Sequence, residues 1–160
     1  MLLEGQAAPD FKLQGTDGKL HSLKDYAGRL LVLFFYPRDN TPGCTSEAVG
    51  FRDLHSEFEQ MGIVLVGVSK DSLKSHQKFI ADFNLPFTLL SDPDASVMTA
   101  YGAYGEKVQY GKKTVGSIRS TAMISPEGIV IKQWPKIARA SEHPDKVLDF
   151  VMKLAGLRHR

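Results

Sequence analysis

The chain contains one cysteine, Cys44, in a short polar segment whose residue types suit thiol chemistry. The segment is Pro37-Arg38-Asp39-Asn40-Thr41-Pro42-Gly43-Cys44. Thr41 and Pro42 are typical of an N-cap and of the first helical position, so Cys44 falls in the first turn of a helix. Free backbone N–H groups and the positive end of the helix dipole stabilise a thiolate there. The spacing therefore predicts a reactive thiol, although a free cysteine without such a setting is usually an inert buried residue.

Two elements must position this cysteine. Residues 30–36 are apolar without alternation, which predicts a strand covered on both faces, as in a parallel sheet. After Cys44, apolar residues recur at steps of three and four, which predicts a helix with one buried face. Its predicted buried positions are Ala48, Phe51, Leu54, Phe58 and Met61. Cys44 therefore lies at a strand-to-helix junction.

The first half of the chain continues this alternation of strand and helix. Asp17-Gly18 between the apolar segments 11–13 and 19–21 predicts an N-terminal β-hairpin, followed by a helical turn at 22–26. A strand at 63–69 and a helix at about 72–83 complete a β-α-β-α order, which implies a parallel sheet with right-handed crossovers.

The second half of the chain has a different order of predicted elements. Turn signals predict a short strand at 89–91, a short helix at 95–101 and a loop rich in glycine and lysine at 102–116. An antiparallel hairpin pairs 118–124 with 129–131, and a last helix covers about 142–155. A β-α-β-α half followed by a β-β-α half predicts an α/β protein with a thioredoxin-like fold, in which helices flank a central mixed β-sheet.

Length and composition limit the possible partners. A chain of 160 residues favours a single domain over 1–160, and a net charge of +2 does not favour nucleic acid or a membrane as the main partner. The opening segment Met1-Leu2-Leu3-Glu4-Gly5 lacks a basic region, and no apolar run approaches the length of a membrane span. We therefore expect a cytoplasmic protein, a compartment that suits a chain with one cysteine.

No metal site or cofactor is expected. One cysteine excludes a zinc site built on paired cysteines, and no two of the five histidines have a helical ligand spacing. Each histidine is expected to be a surface or capping residue; they are His21, His55, His76, His143 and His159.

The segment around Cys44 resembles a known active-site motif. Pro37-x-x-x-Thr41-x-x-Cys44 is similar to the motif of peroxiredoxins, the thiol-dependent peroxidases. The longer string from Phe35 to Glu47 resembles the subfamily called peroxiredoxin Q or bacterioferritin comigratory protein. The likeness continues through 102–107, Gly111-Lys112 and Arg119-Ser120-Thr121, and so covers nearly the whole chain.

This resemblance implies roles for the residues near the cysteine. Cys44 is expected to attack a peroxide oxygen as a thiolate and to become a sulfenic acid. Thr41 is expected to offer its hydroxyl to the bound peroxide, and Pro37 to shield the thiolate from water. The backbone N–H groups of Gly43 and Cys44 are further candidate donors to the substrate.

Two charged residues complete the implied site. Arg119 matches the cation on the family's strand beneath the cysteine, and is expected one residue inside the apolar strand 118–124. Glu47 lies three residues after Cys44 on the same helical face and could fix the guanidinium by a bidentate bond. An ordinary first-turn glutamate that complements the helix dipole is an equal alternative. The charges of Arg38 and Lys112-Lys113 are expected to be solvated.

The sequence departs from many subfamily members, which carry a second, resolving cysteine. Val49 and approximately Ile80 occupy the corresponding positions, so no disulfide can form within this chain. The sulfenic acid must then be reduced by an external thiol: thioredoxin, glutaredoxin or glutathione. Replacement of a natural resolving cysteine in this sequence stays an open alternative. The resemblance also suggests a monomer.

The leading hypothesis is a one-cysteine peroxidase that acts on hydrogen peroxide and small alkyl hydroperoxides. The alternative is a non-catalytic thioredoxin-like module for binding or holding other proteins, suggested by the missing resolving cysteine. A disulfide oxidoreductase is a weaker third possibility, because Thr41-x-x-Cys44 cannot close a Cys-x-x-Cys disulfide.

Overall fold

A mixed β-sheet forms the centre of the computed structural model, which describes residues 3–156. Residues 1–2 and 157–160 lie outside it, and with them the expectation for His159 and part of that for the opening segment. The strands are β1 Lys12–Gly15, β2 Leu20–Ser22, β3 Leu30–Phe35, β4 Ile63–Ser69, β5 Thr88–Ser91, β6 Tyr104–Gln109, β7 Lys112–Ser117, β8 Ser120–Ile124 and β9 Val130–Trp134. The helices are α1 Pro42–Gln60, α2 Leu73–Phe83, α3 Ser96–Ala100 and α4 His143–Leu154, with short 3₁₀ turns at Leu23–Tyr26 and Ala140–Glu142.

The order of strands in the sheet is β2-β1-β5-β4-β3-β8-β9. Strand β4 pairs in parallel with β3 and β5, whereas β8 runs antiparallel to β3 and β1 antiparallel to β5. The predicted thioredoxin-like fold, with a mixed sheet between helices, is confirmed. Pairing of β3 with β8 places Phe35 opposite Ser120, so the residues after β3 and those before β8 lie at the same edge.

The sheet separates two apolar cores. Residues of α1, α2 and α4 pack on one face, where Val32, Phe34 and Leu65 point, and the ring centroids of Phe34 and Phe51 are 4.7 Å apart. Leu31, Leu33 and Phe35 point to the other face, which α3 and the N-terminal hairpin cover. This explains why β3 is apolar without alternation: both of its faces are buried.

The prediction of a loop at 102–116 was wrong, because β6 and β7 form an antiparallel hairpin that is separate from the main sheet. Its tip turns at Tyr110 and Gly111, where φ is 54° and 76°. Two successive positive φ values are typical of a type I′ turn. The hairpin was missed because most of its side chains are exposed and polar, so it lacks the apolar alternation that marks a half-buried strand.

Between residues 3 and 156, no helix combines the length and the apolar character needed to cross a membrane.

Helix α4 is fixed against the rest of the fold at its first residue, His143. The His143 side chain is buried, and its Nε2 lies 2.8 Å from Thr121 Oγ1 in β8. Its ring meets those of Phe51 and Trp134 edge-on. Burial, with smaller contributions from Lys146 and Arg119, lowers the pKa of His143 from 6.5 to about 4. The folded protein therefore favours the neutral imidazole.

We expect part of the pH dependence of stability to come from His143. Its stabilising contribution is present above pH 6.5 and is lost as the pH falls toward 4, because the unfolded chain then binds a proton that the folded chain excludes. The loss amounts to ~3 kcal/mol in the free energy of unfolding. Urea denaturation between these pH values should show a smaller loss in His143→Asn than in the control His55→Asn. Equal losses in the two variants would contradict the assignment.

Candidate active site

Cys44 lies in the first turn of α1, as predicted, but below the surface, with 2% of the residue exposed. Thr41 is the N-cap residue, with φ −87° and ψ 154°, and Pro42 is the first helical residue. The N–H of Thr45 donates to the carbonyl of Thr41 at 2.8 Å, whereas those of Gly43 and Cys44 have no acceptor within the helix. The thiol therefore lies in apolar surroundings beside the unpaired amides of a helix N-terminus.

The guanidinium of Arg119 contacts this thiol. Its Nη2 lies 3.3 Å from Cys44 Sγ, and its Nη1 donates to Glu47 Oε1 at 2.8 Å. Arg119 precedes β8 instead of lying inside the strand, so the predicted start of the strand at 118 was two residues early. The pairing of β3 with β8 brings Arg119 below the helix N-terminus, across 75 residues of sequence.

Glu47 holds the guanidinium through one oxygen only. Its Oε2 is buried and has no hydrogen-bond partner, so of the two alternatives Glu47 does bind the guanidinium, but not by a bidentate bond. The other alternative is not met, because α1 has no acidic residue in its first turn. Burial raises the pKa of Glu47 to about 7, although Arg119 acts in the opposite direction. For Arg119, burial opposes the charge, but Glu47 and Cys44 outweigh it and raise the pKa. The guanidinium is therefore a permanent cation, positioned between a thiol and a buried carboxyl group.

Gly43 and Pro37 form the surroundings of this cation. A Cβ atom on Gly43 would lie 3.1 Å from Arg119 Nη2, so the absence of a side chain leaves room for the guanidinium beside the helix. Pro37 and Arg119 line the same surface cavity. The structure thus brings Cys44, Glu47, Gly43 and Arg119 together, with Pro37 on the wall of the cavity that Arg119 lines.

The Thr41 hydroxyl does not cap the helix. It donates to the carbonyl oxygen of Arg38 at 2.9 Å, within the loop that precedes the helix. With its proton used in this bond, Thr41 Oγ1 is left with lone pairs that can accept a hydrogen bond from a ligand. The Arg38 side chain is exposed, in agreement with the expectation that its charge is solvated.

A buried hydrogen-bond network that sequence reasoning missed holds the loop between β3 and α1. Asp39 accepts from Tyr36 Oη at 2.6 Å and from Ser75 Oγ at 2.7 Å. Its Oδ2 lies 2.8 Å from His76 Nδ1, and the other ring nitrogen of His76 contacts the carbonyl oxygen of Leu90 at 2.9 Å. The loop before Cys44 is therefore attached to α2 and β5. No sequence pattern pointed to this pairing, which spans 37 residues.

The expectation that the histidines are surface or capping residues was wrong for His76 and His143, which are both buried. Asp39, Asp71 and His76 lie close enough together to surround a cation. However, these carboxylates already accept hydrogen bonds from groups of the protein. Asp71 Oδ2 accepts from the Asp39 N–H at 2.8 Å and from Ser69 Oγ at 2.7 Å. The cluster is built as a network of internal hydrogen bonds.

The positions at which relatives were expected to carry a resolving cysteine lie on two different helices. Val49 is on α1 and Ile80 on α2, and both are partly buried. Cys44 is the only cysteine of the sequence, so neither helix offers it a partner thiol.

Comparison with known proteins agrees with this fold. The model of the AhpC/TSA family matches residues 4–133. A protein named putative peroxiredoxin bcp from Coxiella burnetii is 49% identical over 133 residues, covering 83% of this chain and 88% of that protein. Peroxiredoxin Bcp of Bacillus subtilis is 44% identical over 144 residues, covering 90% of this chain and 91% of that protein.

Solved structures show the same likeness. A structure of the bacterioferritin comigratory protein of Xanthomonas campestris, described in terms of its alkyl peroxide reduction activity, superposes with a TM-score of 0.84 at 40% identity. The match covers 91% of this chain and 92% of that chain. The chain therefore belongs to the AhpC/TSA family and, within it, to the peroxiredoxins. Serine variants of two different cysteines are known for Xanthomonas campestris peroxiredoxin Q, whereas this chain has one cysteine.

We expect Asp39→Ala to lower the free energy of unfolding by about 3–5 kcal/mol, because it leaves the Tyr36 hydroxyl, the Ser75 hydroxyl and the buried His76 ring without the carboxylate that they contact. The matched control is Asp82→Ala on α2, which removes an exposed pair with Lys78 and should cost less than about 1 kcal/mol. Urea denaturation of both variants at neutral pH measures the difference. Similar losses would show that the Asp39 network does not hold the loop.

Proposed function

We propose that the protein is a one-cysteine peroxidase in which Cys44 reduces hydrogen peroxide and small alkyl hydroperoxides. The observation that supports this most directly is the 3.3 Å contact between Arg119 Nη2 and Cys44 Sγ at the start of α1. A cation and a helix N-terminus both favour the thiolate, which is the nucleophilic form of cysteine. A module that only binds other proteins needs no such contact.

The proposed reaction begins with attack of the Cys44 thiolate on one oxygen of the hydroperoxide. The S–O bond forms as the O–O bond breaks, and the departing oxygen leaves with the electron pair and takes up a proton as water or an alcohol. Cys44 becomes a sulfenic acid, the first step of cysteine oxidation. Burial of the sulfur strengthens each electrostatic contact during this step, because water does not screen it.

The surrounding groups have matching roles. Thr41 Oγ1, whose proton is donated to Arg38, accepts a hydrogen bond from the hydroperoxide O–H. The N–H groups of Gly43 and Cys44, which have no acceptor within the helix, donate to the peroxide oxygens. Arg119 stabilises the developing negative charge, and Glu47 keeps its guanidinium in place. Pro37, at the cavity wall, limits access of water to the sulfur.

The sulfenic acid is reduced by a thiol from outside the chain, because the sequence has no second cysteine. Thioredoxin, glutaredoxin and glutathione are the candidate reductants. We further propose a single domain over 1–160 that works as a monomer in the cytoplasm, with no cofactor.

Stopped-flow oxidation by hydrogen peroxide tests the nucleophile. Cys44→Ser should keep the fold, since the hydroxyl has nearly the size of the thiol, and should lose all turnover because serine lacks a nucleophilic thiolate. The wild type should react much faster than free cysteine at the same thiolate concentration. A second-order rate constant no higher than that of free cysteine would reject the peroxidase assignment.

Substitution of Arg119 tests whether its positive charge speeds the oxidation of Cys44. Arg119→Ala should slow oxidation by about 10–1,000-fold, as expected for the loss of one electrostatic donor at the reacting atoms. Arg38→Ala is the matched control, since Arg38 lies in the loop that leads to Cys44 but has an exposed side chain, and it should react at the wild-type rate. Unchanged oxidation in the Arg119 variant would remove this residue from the mechanism.

A further inference from the structure

A basic cavity opens beside the guanidinium that contacts Cys44. It has a volume of about 570 Å³ and lies between the β6–β7 hairpin, Pro37 and Arg119, and the segment 135–137 after β9. Volumes of this size are typical of sites for small molecules. Hydrogen peroxide and small alkyl hydroperoxides fill only a small part of it, so the proposed peroxide chemistry does not account for its size.

The charge of the cavity is strongly asymmetric. Lys107, Lys113 and Lys136 line it together with Arg119, against the single carboxylate of Glu106. Glu106 lies 3.9 Å from Lys113, and both side chains are largely exposed, so this pair leaves most of the positive potential in place. Lys107 donates to the carbonyl of Ser117 at 2.7 Å, which fixes its ammonium group at the base of the hairpin.

The positive region continues beyond this cavity. A neighbouring depression of about 290 Å³ shares Lys136 and Ile137 with it and adds Lys146 and Arg139, of which Arg139 pairs with Glu142 at 3.2 Å. Between the charges, Val108, Ile118 and Ile137 supply apolar wall. The surface beside Arg119 thus suits a small molecule that carries negative charge and some apolar character.

The chemistry of the site requires a thiol from outside the chain. A sulfenic acid on Cys44 has no partner thiol in this sequence, and its sulfur lies in a residue only 2% exposed. A cysteine fixed on the surface of another folded protein projects little beyond its own backbone. A small thiol can instead carry its sulfur down the cavity toward Arg119, whose guanidinium contacts Cys44.

We propose that this cavity binds the reductant and that the reductant is an anionic thiol of low molecular weight. The inference rests on the proposed peroxidase function. One thiolate attacks the sulfenic sulfur of Cys44, a mixed disulfide forms, and the hydroxyl leaves as water after taking up a proton. A second thiolate attacks the outer sulfur, which releases the small disulfide and restores the Cys44 thiolate. The two thiols supply the two electrons that the peroxide has taken.

The test separates oxidation from reduction. The protein is first oxidised with one equivalent of hydrogen peroxide, and this phase is recorded on its own. Its reduction is then followed with 3-mercaptopropionate, 2-mercaptoethanol or cysteamine, which are anionic, neutral and cationic, and each rate is divided by the thiolate concentration. We expect the anionic thiol to react ~10-fold or more faster than the cationic thiol at low ionic strength, with an advantage that shrinks as salt is added.

Two charge-reversal variants test whether the preference for the anionic thiol comes from this cavity. Lys136→Glu should lower the preference for the anionic over the cationic thiol by about 3-fold or more, because it reverses a charge at the cavity wall. Lys12→Glu makes the same charge change on the exposed side of β1 and should retain the wild-type preference and the wild-type oxidation rate.

The outcomes are distinct. Absence of the peroxide phase would overturn the proposed function, and with it this inference. A normal peroxide phase followed by equal, salt-independent rates for the three thiols would overturn the inference alone. The inference would also be overturned if only a protein thiol reduced oxidised Cys44. It would likewise be overturned if Lys136→Glu and Lys12→Glu changed the preference for the anionic thiol by the same factor.

Discussion

The guanidinium of Arg119 joins parts of the chain that are far apart in sequence, and the arrangement of the site depends on it. It contacts the Cys44 sulfur at 3.3 Å and Glu47 at 2.8 Å, both on the first turns of α1, from a position just before β8. Without a cation at this point, a thiolate and a carboxylate would face each other in a buried region, which is unfavourable for both. The packing of α1 next to β8 therefore depends on the positive charge of Arg119.

Burial and polarity act together in this arrangement. Cys44 belongs to an apolar cluster with Tyr36 and Phe51, yet it also lies next to a cation and to unpaired backbone N–H groups. Apolar surroundings alone would disfavour a thiolate, but they also strengthen each nearby electrostatic contact. Reactivity then depends on whether these fixed contacts outweigh the loss of water. Peroxide oxygens entering the site would meet donors that are already oriented.

Buried hydrogen bonds also fix the loop between β3 and α1. Asp39 receives hydrogen bonds from Tyr36 in the same loop and from Ser75 in α2, and its Oδ2 lies 2.8 Å from Nδ1 of the buried His76. These bonds fix the approach to Thr41 and Pro42, and so the direction in which the helix begins. Fixed donors of this kind contribute to catalysis because they need no rearrangement when charge develops. The network thus connects packing at the end of the sheet to the geometry around Cys44.

The sequence by itself determined most of the helices and strands and the position of the one cysteine at the start of a helix. The unbroken apolar character of residues 30–36, the pair Thr41-Pro42 and the helical spacing after Cys44 are local patterns, and they predicted the β3–α1 junction correctly. Tertiary structure decided the single hydrogen bond of Glu47, the Asp39–His76 pair, the β6–β7 hairpin and the cavity beside it. All of these except the hairpin depend on which strands become neighbours and on which side chains then meet across tens of residues. The hairpin is local, but its exposed polar side chains lack the apolar alternation of a half-buried strand. Local propensity and periodicity extend over only a few turns of helix or residues of strand, so they carry no information about such distant contacts.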